Sequence, residues 1–278
     1  MSQLIFGPAG IPNSTPEPRT TLGGIERVRQ LGLDCMEVQF VQGVKMGEAS
    51  ARLVRDVAQK NQVRLSVHAP YFVNLNAHEP EKLTASEGRI LQAARIGYLC
   101  GAETVNVHVA FYLGDPPDVV YGRVKAVLER VVQHLKREKI SIIIRPEVMG
   151  KGSQFGTVEE ILNLSAEIEG VLPTIDFSHW HARTGQNNSY AEFMGVLKQI
   201  ETKLGRRGIE NMHMHISGIK YSKAGELAHL RFDDSDFHYQ ELLRALKDMG
   251  VGGMAICESP LEYMEEDALT LQETYRKL

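Results

Sequence analysis

Short apolar runs alternate with longer amphipathic stretches along the whole sequence, and this alternation most limits the folds open to it. Strand-like runs lie near 3–7, 35–40, 64–69, 103–109, 141–147, 172–177, 210–216 and 252–258. Helical stretches follow near 20–31, 48–61, 80–100, 118–138, 157–168, 190–204, 237–249 and 262–277. In the fourth of these, Val120, Val124, Val127, Leu128, Val131 and Leu135 fall on one stripe, after a break at Asp115-Pro116-Pro117. The strand runs are continuously apolar, as parallel strands covered on both faces are. Eight such units predict an α/β chain closed into a (β/α)8 barrel, a single domain over 1–278. An open doubly wound sheet is the rival, but no GxGxxG follows the first run. The segment 219–236 reads as a long loop carrying Lys220, Lys223, Glu226, His229 and Arg231.

Such a barrel places its function at the C-terminal ends of its strands. There the sequence carries His68, His108, Glu147, Asp176, His179, His215 and Glu258. Imidazoles and carboxylates converging on one mouth are the ligand set of zinc or manganese, with room for more than one ion. A lone histidine near a strand end is usually structural, but the set as a whole is harder to dismiss. Buried Glu147, Asp176 and Glu258 would each be costly without a compensating charge. Asp176-x-x-His179 leaves the sixth strand where a short turn aims both residues inward; alternatively, Asp176 caps the next segment and His179 faces solvent. His213 and His215 share a strand face. His215, nearer the C-terminal end, is taken as the ligand and His213 as a deeper residue or its support. Cys257 points to the opposite face from Glu258. His181 reads as a bystander, and His78, His134 and His238 as surface residues. For Glu226 and His229, ligation and a solvated loop are equally open. Gly150, Gly152 and Gly156 allow close backbone approach, or are plain turn residues.

Composition narrows the partners. The net charge of −4 gives no bulk attraction for nucleic acid, so a local basic patch or bound cations would have to supply it. No run approaches the roughly 18 apolar residues of a membrane span, and no signal-peptide pattern opens the chain. Cys35, Cys100 and Cys257 are odd in number and widely spaced. A cytoplasmic protein without disulfides is expected.

Several segments together resemble the endonuclease IV family, the family-2 apurinic/apyrimidinic endonucleases of the xylose-isomerase-like TIM barrels. They are Ser66-Val67-His68-Ala69-Pro70-Tyr71 with Asn74-Leu75, Glu147-x-x-Gly150-x-Gly152-x-x-x-Gly156, and Ile175-Asp176-x-x-His179. His215 with Lys220, and Glu258-x-Pro260, complete the set. The resemblance implies two or three zinc ions, with manganese as an alternative, serving phosphodiester hydrolysis at abasic sites in DNA repair. His68, His108 and Glu147 would hold the first ion. Glu147 would bridge to a second, held with Asp176, His215 and Glu258, and His179 and His229 would serve a third. Glu147 and Glu258 would be catalytic, Glu258 by orienting or deprotonating the nucleophile. Tyr71, Phe72 and Lys220 would meet DNA, and the protein would act as a monomer without a membrane partner. Two departures stand out. Leu227 replaces the family's third-site Asp, leaving Glu226 as the candidate substitute. Gln39-Phe40-Val41-Gln42-Gly43 lacks the family's DNA-entering Arg.

A metal-dependent sugar or sugar-phosphate isomerase or epimerase is the alternative. It needs one divalent ion, and Glu147, Asp176, His215 and Glu258 would hold it, with His179 on the substrate. His68, His108 and His229 discriminate, because a one-ion sugar enzyme does not need them. A barrel serving only as a binding module is a third reading, suggested by Leu227.

Overall fold

A computed structural model describes residues 3–278. Its elements run β1 (Leu4–Pro8), α1 (Thr21–Gln30), β2 (Cys35–Gln39), α2 (Glu48–Asn61), β3 (Arg64–His68), α3 (Pro80–Cys100), β4 (Thr104–Val107), β5 (Ala110–Phe111) and α4 (Pro117–Arg137). They continue as β6 (Ile143–Pro146), β7 (Gln154–Phe155), α5 (Val158–Glu167), β8 (Thr174–Asp176), α6 (Phe177–Thr184), α7 (Tyr190–Leu204) and α8 (Arg206–Glu210). The last are β9 (Met212–Ile216), β10 (Gly218–Ser222), β11 (Gly225–Leu230), α9 (Tyr239–Asp248), β12 (Gly253–Cys257) and α10 (Met264–Lys277).

Eight of the strands form a TIM barrel. Two parallel ladders carry them, in the orders β2-β3-β4-β6 and β1-β12-β9-β8. Isolated parallel bridges join the ladders, Ala9 to Glu37 on one side and Ile144 to Val171 and Glu147 to Thr174 on the other. The helices form the outer ring. All six stripe residues of α4 are buried, each contributing roughly 1.5–3 kcal/mol by leaving water.

The period of two along each strand separates the helix-facing core from the barrel interior. Leu4, Phe6, Met36, Val38, Val67 and Cys257 belong to the large core cluster. Cys257 thus lies on the helix side, as its place beside Glu258 predicts. Ile5, Cys35, Met254 and Ile256 form a small second cluster. The remaining alternate positions hold buried polar groups: Glu37, Ser66, His68, Thr104, Asn106, Arg145, Thr174, Asp176, His213 and His215. Branched aliphatic residues normally fill these layers. Arg145 closes the floor, donating to the Pro173 carbonyl at 2.7 Å and the Asn211 carbonyl at 2.9 Å. Gly7 is demanded by closure, since a Cβ there would lie 1.7 Å from the Cys35 carbonyl oxygen.

The segment expected as a long loop is instead the antiparallel hairpin β10–β11 followed by a 3-10 turn at Phe232–Asp234. Its own ladder satisfies backbone groups that a bare loop would leave to water. The short helix α6 also stands where a turn was expected. The three cysteines are free and buried, and among the described residues no helix is long and apolar enough to cross a membrane.

Candidate metal centre

The side chains at the mouth are delivered by strand ends, by α6 and by β11, and three of the imidazoles are oriented by backbone carbonyls. His68 ends β3, and its Nδ1 lies 2.7 Å from the Ala69 carbonyl, so Nδ1–H donates there and Nε2 turns inward. Nε2 of His68 and Nε2 of His108, just past β4, stand 3.6 and 3.3 Å from Glu147 Oε2. Asn106 also donates to that oxygen. The other oxygen of Glu147, Oε1, faces His179 Nδ1 at 3.1 Å and His215 Nδ1 at 3.6 Å. Glu258 Oε2 is 3.3 Å from His215 Nδ1.

Both readings of Asp176 hold at once. Its Oδ1 caps α6 by accepting from the His179 backbone N–H at 2.7 Å, while Oδ2 faces the mouth. His179 is buried rather than solvent-facing. Its Nδ1 is 3.2 Å from the Val148 carbonyl, and its Nε2 is 3.3 Å from His229 Nε2 and 3.5 Å from Glu226 Oε2. His229 Nδ1 lies 2.8 Å from the Glu258 carbonyl.

A bulge explains how Glu226 arrives. Lys220 pairs with Ala228 but Tyr221 pairs with Glu226, so Leu227 is an extra residue in the ladder. The bulge breaks strand alternation, leaving Leu227 56% exposed and turning Glu226 toward His179. The Glu226 backbone N–H also bonds the Gly150 carbonyl at 3.0 Å. Of the three glycines in this loop, Gly150 and Gly156 are required. A Cβ on Gly150 would meet Glu226 Cβ at 2.7 Å; Gly156 has φ +134° and lies against the Glu147 carbonyl. Gly152 has open space and is a turn residue.

The described ligand-type atoms gather in four groups, each within 4.8 Å: His68, His108 and Glu147; Glu147, Asp176, His215 and Glu258; Asp176, His179 and His229; and Glu37, His213 and His215. Glu147 Oε1, Asp176 Oδ2 and His215 Nδ1 are buried and have no hydrogen-bond partner. They meet one another and His179 as charged neighbours at 3.1–3.6 Å; buried polar atoms without a directed hydrogen bond are expensive, and a divalent ion would satisfy all three, so the donor set fits one.

Electrostatics follow from burial against mutual attraction. Burial alone would lower the His179 pKa, but Asp176, Glu147 and Glu226 outweigh it and raise it to about 10. Burial raises Asp176 to about 6 against the pull of His179. For Glu258 burial is overcome by His215 and His229, and the carboxyl falls to about 2. Glu147 is likewise held well below its ordinary range by His108 and His215, despite burial.

Of the residues expected at substrate, Tyr71 stands against the mouth. Tyr71 stacks on His108 with ring centroids 5.3 Å apart and is half exposed; Phe72 is 66% exposed. Lys220 is exposed, on strand β10. His181 is buried, with Nδ1 2.8 Å from the Gln186 carbonyl, while His78 and His238 are exposed. Glu37 and Asn106 escaped the sequence reading. The signal for Glu37 was a charge in the middle of the apolar run Cys35-Met36-Glu37-Val38.

Comparison with known proteins places the chain by descent. The xylose isomerase-like TIM barrel family model matches residues 25–277. The chain belongs to this family. An uncharacterized protein of Methanocaldococcus jannaschii is 40% identical, covering 99% of this chain and 98% of its own. A probable endonuclease 4 of Mycoplasma pneumoniae is 26% identical over 54% of this chain, about half of that protein's length (52%). Among solved structures, endonuclease IV of Thermus thermophilus superposes with a TM-score of 0.75 at 17% identity, over 98% of this chain and 99% of its own. D-psicose 3-epimerase of Clostridium cellulolyticum gives 0.69 at 12% identity, with the same coverage. At these identities the structural likeness speaks to fold, and this fold family includes nucleases and sugar epimerases.

Proposed function

We propose that the protein is a metal-dependent phosphodiesterase of the endonuclease IV kind, cutting the DNA backbone at abasic sites. One observation carries the reading: Glu147 turns one oxygen to His68 and His108 and the other to the Asp176–His215–Glu258 group. A one-ion sugar enzyme needs only the second group. Divalent ions, zinc foremost and manganese as alternative, would supply Lewis acidity toward a phosphate oxygen and lower the pKa of water there. His68, His108, Glu147, Asp176, His215 and Glu258 would hold two of them, and His179, His229 and Glu226 a third.

The protein residues have tasks of their own. Glu258, with one carboxylate oxygen against His215, would orient the attacking water and take its proton. Tyr71 and Phe72 would wedge beside the unstacked sugar. Leu113 is also exposed, lines one surface pocket with Phe72 and extends that apolar rim. Such a rim suits bases and sugar faces better than a small free sugar.

The test is incision of a duplex carrying one abasic site by zinc- or manganese-loaded protein. Chelator and Glu147→Ala should both abolish cutting. No cutting by protein shown to be loaded would transfer the reading to a sugar isomerase or epimerase, which the second group alone would serve.

A further inference from the structure

Behind the mouth lies a buried knot of polar side chains contributed by strands that meet across the barrel. Glu37 on β2 accepts from Ser66 Oγ at 3.0 Å and lies 2.9 Å from His213 Nε2, both through Oε2. His215 Nε2 stands 3.3 Å from Glu37 Oε1 and 3.4 Å from Oε2. Glu37, Ser66, His213 and His215 are all buried. An ionised carboxylate only accepts hydrogen bonds, so the imidazole nitrogens facing it carry protons. With Nε2–H held toward Glu37, His215 turns Nδ1 to the mouth, where Glu258 Oε2 stands 3.3 Å and Glu147 Oε1 3.6 Å away, and Nδ1 is the nitrogen an ion there would meet. That atom is one of the three buried atoms of the mouth that make no directed hydrogen bond.

We infer that Glu37 is a positioning residue for the metal centre: it fixes the His215 tautomer and ring so that Nδ1, rather than Nε2, faces the ion. The inference rests on the metal reading of the Glu147, Asp176, His215 and Glu258 group. A carboxylate behind a ligating histidine locks the ring and raises its basicity. His213 and Ser66 serve the same end one step back, by holding the Glu37 carboxylate in place. The other possibility, an ion among Glu37, His213 and His215 themselves, is disfavoured by the hydrogen bonds already satisfying Glu37.

The test reads metal rather than turnover. Cobalt(II) is titrated into metal-free protein against a competing chelator, and its visible absorption is recorded. Glu37→Gln should weaken one bound equivalent by about 10–100-fold and change that equivalent's spectrum. The equivalent expected at His68 and His108 should remain, and Glu37→Asp should restore part of the loss. Independently, long-range proton–nitrogen correlation on the zinc-loaded parent should show His215 protonated at Nε2 and ligated at Nδ1. Unchanged affinity and spectrum in Glu37→Gln, or ligation through Nε2, would overturn the inference. If Glu37→Gln fails to fold, the correlation spectrum decides. A parent protein that takes up no ion overturns the inference and the proposed function together, which the unchanged variant alone would not.

Discussion

At Glu226 a carboxylate faces His179 from beside the position that the resemblance marks. The extra residue in β11 swings Leu227 outward and Glu226 inward. Glu226→Ala should therefore cost one equivalent of bound metal by elemental analysis, while Leu227→Ala should leave the stoichiometry intact. Gly150→Ala, by pressing on Glu226 Cβ, should resemble Glu226→Ala. The residue pattern left Glu226 as a candidate, with ligation and a solvated loop equally open. It did not show which of two adjacent side chains faced inward, because a bulge is a property of pairing between strands and leaves no local mark. Glu37 is the opposite case. A lone acid within an apolar strand run is visible in the sequence, and its partner His213 was already read as a deeper residue.

Among elements, the helix stripes and strand runs were legible because burial imposes their periods directly. The hairpin β10–β11 and helix α6 were not, since both are short and lean on tertiary contacts. Their polar, mixed composition resembles a loop. Leu128, on the inner stripe of α4, is fully buried. Leu128→Ala should cost about 2–5 kcal/mol in urea unfolding and leave metal stoichiometry unchanged. Gly156→Ala should damage both. The substitution strains a backbone at φ +134° and pushes against the carbonyl of Glu147. Stability loss without metal loss would show that the loop after β6 does not position Glu147.

For the whole molecule, the mouth is a reservoir of protons that a bound ion would displace. His179, raised from 6.5 to about 10, contributes stability that is complete below its unfolded value and lost as pH rises through 10. Asp176, raised from 3.8 to about 6, loses its contribution as pH rises through 6. Glu258, lowered from 4.5 to about 2, contributes above 4.5 and loses that as pH falls through 2. Metal-free protein should therefore melt at a lower temperature near pH 9 than near pH 6. Loaded protein should lack this alkaline decline, since the ion replaces the proton. A decline of equal size with and without chelator would refute the coupling. Binding to abasic duplex should weaken as salt rises; a salt-independent affinity would argue for a neutral ligand.

The two ladders of the barrel meet along seams of isolated bridges, and one of these pairs Glu147 with Thr174. Glu147 comes from the half-barrel that holds β6, whereas Asp176, His215 and Glu258 come from the half holding or continuing β8, β9 and β12. An ion held by all four would clasp the halves together, stitching with coordination what the backbone joins only sparsely. Chelation should then speed amide exchange first in β6 and β8 along that seam, an unzipping of the barrel that begins at its own mouth.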